Sequence, residues 1–216
     1  MFRRELGVPF SDPLADGPVI QASNQRALES GVNFQACIDF VSEARRRGLT
    51  VPVVLMGYYN PILAYGEEKA VKNAKESGAD GFIVVDLPPE EASGFIRLCR
   101  ASEMSYIPLV ALTTREDRLG TVADSADSFL YCVSVTGVTG ARKELSSEVP
   151  AFLDRVRRYA KVPLAVGFGI SDRTQFLQVA GLAEGVVIGT AIIKAIFANE
   201  KDPVHAAEEF CRTVSS

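Results

Sequence analysis

The sequence predicts an α/β fold, a (β/α)8 barrel of parallel strands each followed by a helix, and three observations predict it. Short apolar, β-branched runs alternate with helical stretches that are apolar on one side only. The runs are apolar throughout rather than at every second residue, as in strands buried on both faces of a parallel sheet. Six such strand-then-helix units follow a strand-like stretch at residues 5–8, a count that passes the five or six strands of an open sheet and approaches eight.

Residues 5–8 read as the tail of a buried strand. Arg3 and Arg4 would make a poor strand interior, so the chain looks as if it begins inside an element. Residues 19–28 read as a helix ended by Gly31. Asn33 then caps a second helix, whose Phe34, Cys37, Ile38 and Val41 recur at i, i+3, i+4, i+7. Gly48 stops it, and residues 51–56 form the first full strand. A helix at 67–76 buries Ala70, Val71 and Ala74, and residues 82–86 form the next strand. Pro89, Glu90 and Glu91 read as the opening of a helix with an inner face of Ala92, Phe95, Ile96 and Cys99. A single strand is expected over 106–112. Then come a helix at 116–126, a strand at 129–133, a helix at 149–160, a strand at 163–166, a helix at 172–180 and a strand at 185–188. A short helical segment follows Gly189, and the last helix, 203–214, is amphipathic through Ala207, Phe210, Cys211 and Val214. No linker or low-complexity segment divides the chain, so residues 1–216 are read as one domain.

Composition narrows the function. Lys and Arg number 23 against 27 Asp and Glu, and no basic tract is denser than Arg45-Arg46-Arg47, which lies at a helix end; nucleic acid is not an expected partner. No apolar run is long enough to span a membrane and no signal peptide is visible, so no membrane and a cytoplasmic location are expected. The four cysteines are far apart on apolar faces or strands, which reads as buried thiols. With His205 the one histidine, a multi-histidine metal site is excluded and no metal is expected.

A barrel builds its site from the loops at the carboxyl ends of its strands. After the first strand-like stretch come three acids in twelve residues, Glu5, Asp12 and Asp16, stiffened by Pro9, Pro13, Gly17 and Pro18. These acids read either as a site or as turn and cap residues. Two carboxylates without metal-binding histidines suit proton transfer. At the other end of the sequence, Gly167 and Gly169 follow one strand and Gly189-Thr190 the next. Glycines in adjacent loops before short helices let backbone N–H groups approach a phosphate closely. Met56, Tyr58, Ile83 and Tyr131 offer an apolar pocket, although Tyr58 and Tyr131 read equally as core-edge aromatics.

The stretch Glu5-Leu6-Gly7-Val8-Pro9-Phe10-Ser11-Asp12-Pro13-Leu14-Ala15-Asp16-Gly17-Pro18 resembles the signature of the tryptophan synthase alpha chain family. So do Gly137-Val138-Thr139-Gly140, Gly167-Phe168-Gly169-Ile170-Ser171 and Gly189-Thr190-Ala191, in the family's order and over essentially the whole chain. The resemblance implies a TIM-type (β/α)8 barrel and a lyase of amino-acid biosynthesis, which cleaves indole-3-glycerol phosphate to indole and D-glyceraldehyde 3-phosphate. It implies that Glu5 is the general acid/base, that Asp16 hydrogen-bonds the indole N–H, and that Thr139 orders Asp16 on loop closure. Gly140, Gly169, Gly189 and Thr190 would hold the phosphate, and Met56, Tyr58, Ile83 and Tyr131 would surround the indole. No cofactor is implied for this chain; pyridoxal phosphate belongs to the partner, a beta chain or fused beta domain, faced by residues 11–18 and 58–62. Family members carry a first strand, its helix and most of a second strand before the glutamate. The expectation is therefore an N-terminally truncated member lacking those elements, with Glu5 on a nearly free end and little activity alone. A catalytically inactive barrel that binds or regulates a beta chain is the alternative.

Overall fold

The computed structural model describes residues 4–134, 147–167 and 169–215. They run β1 (Arg4–Gly7), α1 (Pro18–Glu29), α2 (Phe34–Arg46), β2 (Val53–Gly57), α3 (Tyr59–Tyr65), α4 (Glu67–Ser77), β3 (Gly81–Val84), α5 (Ser93–Ala101), β4 (Ser105–Ile107) and β5 (Leu109–Ala111). Then follow α6 (Glu116–Ser125), β6 (Leu130–Val133), α7 (Val149–Arg157), β7 (Leu164–Gly167), α8 (Arg173–Ala180), β8 (Gly185–Val186), α9 (Thr190–Ala198) and α10 (Pro203–Ser215). The strands form two four-stranded parallel sheets in sequential order, β1-β2-β3-β4 and β5-β6-β7-β8. The architecture is (β/α)8-like.

Two expectations about the start of the chain are corrected. Where a strand remnant was expected, the described residues open on a fully paired strand, a helix and a second strand, and they hold eight parallel strands in all. β1 pairs along its whole length with β2, from Arg4 opposite Val53 to Gly7 opposite Met56, and α1 and a five-residue β2 follow it. Glu5 is therefore held inside a paired strand, not on a free end. The sequence count fell short of eight because residues 106–112 read as one strand. Pro108 has no N–H for a ladder bond, and it divides that run into β4 and β5, which belong to different sheets.

The chain packs as two compact units. The first takes residues 4–13, 24–108 and 125–128 of those described, and the second 14–23, 109–124 and 129–215. In the first, one face of the sheet (Leu55, Phe82, Val84 and Tyr106) packs with Phe34, Ile38, Val71 and Phe95 from the helices into a single apolar cluster. The heptad-like faces expected of α2 and α4 are the buried ones, and Asn33 caps α2 by accepting from Ala36 N–H at 3.0 Å. The second unit buries Leu119, Val122 and Ala123 of α6 and Val149, Phe152, Leu153 and Val156 of α7. Its last helix differs from expectation: α10 buries Ala206 and Val214, and leaves Cys211 exposed while the other three cysteines are buried. The segment opened by Pro89 also differs. Residues 88–92 make a turn, with Glu91 and Ala92 N–H on the Pro88 carbonyl, and the helix starts at Ser93. No helix among the described residues is long and apolar enough to cross a membrane.

Candidate active site

Parallel pairing places opposed residues on the same face of a sheet, and alternation along each strand separates the two faces. In the first unit Leu6, Leu55 and Phe82 are in register and take the helix side. Glu5 is opposite Val54, and Gly7, Met56 and Ile83 are in register one step further along; all of these take the other side. The strand register thus brings three of the expected residues, Glu5, Met56 and Ile83, to one face. Val54 and Ile83 are buried there. Glu5 keeps partial surface exposure, yet its carboxyl is withdrawn from water, and this desolvation alone raises its pKa from 4.5 to about 7. Near neutral pH both protonation states are populated. Among the described residues, a Cβ on Gly7 of that face would meet nothing within 4 Å.

The loops after the first strands are fixed to one another. Tyr58 is buried and its ring centroid is 5.3 Å from that of Phe10. Tyr58 is also the N-cap residue of α3 but supplies no side-chain cap. Asp86, from the loop after β3, does so in its place, accepting from Tyr59 N–H at 2.7 Å. Neither α3 nor this long-range cap was expected from sequence; Pro61 sits in the first turn of α3, where proline is tolerated. Asp12 is exposed and accepts a hydrogen bond from the Ser11 hydroxyl.

In the second unit Asp16 is half-buried between buried Pro13 and Gly17. Its carbonyl accepts from Gln21 Nε2 at 2.8 Å and the Gly17 carbonyl from Gln21 N–H, which fixes this backbone to α1. Tyr131 is buried on β6, in register with Leu109 and Ala165. Its ring lies over Gly167, where a Cβ would stand 2.7 Å from Tyr131 Cζ. Gly169 has φ +89°, a conformation that disfavours any side chain. Gly189 is the N-cap of α9, which has no side-chain cap among the described residues, and a Cβ there would meet none of those residues within 4 Å. Thr190 is the first residue of α9. The N–H groups of such an uncapped first turn are donors for an anion. Thr139 and Gly140 lie outside the described residues.

Sequence reasoning missed Ser134 and Gln175, whose buried polar side chains hold the backbone around Gly169. Neither lies in a periodic pattern that would have shown it.

A sequence model of the family described as "Tryptophan synthase alpha chain" matches residues 4–215. A relative from Saccharomyces cerevisiae named "Tryptophan synthase" is 52% identical over 190 residues, covering 88% of this chain and 27% of that protein. The "Tryptophan synthase alpha chain" of Roseiflexus sp. (strain RS-1) is 50% identical over 192 residues, 89% of this chain and 74% of the relative. The chain thus spans about a quarter of the yeast protein and about three quarters of the bacterial one. Among solved structures, a tryptophan synthase complex from Pyrococcus furiosus contains a chain with TM-score 0.89 and 36% identity, covering 97% of this chain and 84% of that one. The family match starts at Arg4, the first residue of β1. The expectation of an N-terminally truncated member is corrected: the similarity takes in β1, α1 and β2.

Proposed function

Because the chain belongs to the tryptophan synthase alpha chain family, we propose that it is a carbon–carbon lyase cleaving indole-3-glycerol phosphate to indole and D-glyceraldehyde 3-phosphate. Protonated Glu5 gives its proton to the indole ring carbon that bears the glycerol chain. The positive charge this places on the ring nitrogen is stabilised by Asp16, which accepts the N–H hydrogen bond. The Glu5 carboxylate then takes the proton of the hydroxyl on the adjoining carbon. That oxygen becomes the aldehyde carbonyl, the C–C bond breaks, and its electron pair returns to the ring and neutralises the nitrogen. Glu5 ends protonated, ready for another turnover, so no co-reactant is consumed.

The observation that carries this reading is the Glu5 carboxyl, whose pKa is pushed up to about 7 on the face it shares with Met56 and Ile83. A group that must both give and take a proton works best with a pKa near the working pH. Met56, Tyr58, Ile83 and Tyr131 take the indole. Gly140, Gly169, Gly189 and Thr190 take the phosphate, and Thr139 orders Asp16. The partner is a beta chain or a fused beta domain, which carries its own pyridoxal phosphate. It meets residues 11–18 and 58–62, a reading that fits the 87% exposure of Leu14.

The test is release of indole from indole-3-glycerol phosphate by the purified chain, with and without a tryptophan synthase beta chain. Glu5→Gln and Asp16→Asn serve as controls. Release that is lost in Glu5→Gln supports the reading. Unchanged release in that variant, or none from the folded unmodified chain in either condition, overturns it.

A further inference from the structure

We propose that Ser134 and Gln175 are positioning residues for the substrate phosphate, clamping the two ends of the turn that carries Gly169. The inference rests on the reading above, that this turn receives the phosphate.

Apart from the tyrosines, three polar side chains are buried among the described residues: Ser77, Ser134 and Gln175. Ser77 makes an ordinary back-bond within its helix, donating to the Ala74 carbonyl at 2.7 Å. The other two serve a single turn. At its start the Gly167 carbonyl accepts twice from Ser134, from the hydroxyl at 2.8 Å and from the N–H at 3.1 Å. At its end Gln175 Oε1 accepts twice from Ser171, from the N–H at 2.8 Å and from the hydroxyl at 3.0 Å. Gln175 is itself fixed, because its N–H is donated to the capping Asp172 Oδ1 at 2.9 Å. Between the two clamps stands Gly169 at φ +89°.

Burying a hydroxyl or an amide is costly unless its hydrogen bonds are made. The backbone N–H of Ser134 already ties β6 to the end of β7, so the fold closes there without the hydroxyl. The hydroxyl adds a second donor to one oxygen, and Gln175 adds two bonds to one serine. The excess bonds fix the direction in which the turn presents its backbone. Backbone donors bind an anion well only when they are held in place before it arrives, because ordering them on binding subtracts from affinity. These two residues need not touch the substrate to set how tightly its phosphate is held.

The experiment compares Ser134→Ala, Gln175→Met and the double variant with the unmodified chain, and includes Gln175→Glu, which keeps an acceptor for both Ser171 donors. Three quantities are read: KM and kcat for indole-3-glycerol phosphate, Kd for glycerol 3-phosphate by calorimetry, and thermal unfolding. Each single loss is expected to raise KM and Kd about fivefold, the size of one buried hydrogen bond. kcat should change less than twofold, since binding common to ground and transition states is lost. Gln175→Glu should recover most of the affinity. Ser134→Ala removes one atom and keeps the test clear of folding failure. KM and Kd unchanged in both single variants, or a fall in kcat at constant KM, overturns the clamp. Failure of the underlying reading looks different. There the unmodified chain neither binds glycerol 3-phosphate nor cleaves substrate, and the phosphate turn falls together with its clamp.

Discussion

Tyr131 occupies the space that a side chain on Gly167 would need: a Cβ there would lie 2.7 Å from Tyr131 Cζ and 2.8 Å from Cε1. Both residues are buried. Gly167→Ala should therefore destabilise the fold by about 1–3 kcal/mol through overpacking. Tyr131→Phe removes the hydroxyl, the atom nearest that Cβ, but leaves Cζ and Cε1 crowding it, so it should relieve only part of this cost. Tyr131→Leu should relieve most of it. Urea unfolding of the glycine variant in the three backgrounds checks the coupling. An equal cost in all three would show that the tyrosine is not what excludes the Cβ.

Glu5 carries a stability cost with a definite pH dependence. Its folded pKa, about 7, lies above the ordinary 4.5 because burial disfavours the charged form. Between those values the folded chain holds a proton that the unfolded chain has lost, so stability falls as pH rises through that window. The cost is absent below 4.5 and complete above 7. Glu5→Gln has no charge to bury. At pH 8 it should exceed the unmodified chain by about 2 kcal/mol, a figure discounted for the solvent that reaches the residue, and the gain should vanish at pH 4.5. The same variant should lose at least about 100-fold in turnover. Denaturant titrations at the two pH values check the sign; a gain that persists at pH 4.5 would point to packing rather than charge.

Much of this was legible in sequence, and the failures have physical causes. The inner faces of α2, α4, α6 and α7 follow helical spacing, and the structure buries those residues. Glu5 and Asp16 stood out as part of three acids in twelve residues, a pattern that reads as a site or as turn and cap residues. Residues 106–112 read as one strand because the residues on both sides of Pro108 are equally apolar. α3 was hidden because its cap, Asp86, comes from another strand's loop, 27 residues away. Ser134 reaches its partner across 33 residues and breaks no pattern. Long-range polar pairings leave no periodicity to read.

A repeated polar clasp was illegible for the same reason. Arg45 donates to the carbonyls of Leu49, Val51 and Gly78 and to Asp80 Oδ2, and Asp80 also accepts from Val53 N–H, the first of β2, at 2.8 Å. Arg100 and Asp127 repeat this around Tyr106 N–H of β4, and Arg157 and Glu184 around Leu164 N–H of β7. Asp80 and Glu184 each lie just before one strand and secure the first residue of the strand paired with it, whereas Asp127 holds the second residue of β4. Asp80→Ala should cost about 1–2 kcal/mol, mostly by leaving the Val53 N–H without its acceptor. Asp80→Asn keeps an oxygen there and should cost less. Raising salt should change the difference only slightly, since the hydrogen bond and not the half-exposed ion pair dominates. Unfolding at low and high salt checks this, and a loss abolished by salt would assign the effect to the ion pair.

Gly169 and Gly189 should separate when each is changed to alanine. At Gly169 the φ of +89° penalises any Cβ, so Gly169→Ala should cost about 1–2 kcal/mol of stability as well as affinity for a phosphate ester. At Gly189 the backbone is at φ −115°, and a Cβ would have no neighbour within 4 Å among the described residues. Gly189→Ala should therefore unfold within about 0.5 kcal/mol of the unmodified chain. Its methyl group would stand beside the uncapped first turn of α9, where the proposed phosphate approaches. An affinity loss at 189 without a stability loss is the signature of a Cβ in the ligand's path, because none of the described residues contests that space. Calorimetry with glycerol 3-phosphate, paired with urea unfolding of both variants, reads the two effects apart. Full affinity retained in Gly189→Ala would move the phosphate away from the start of α9.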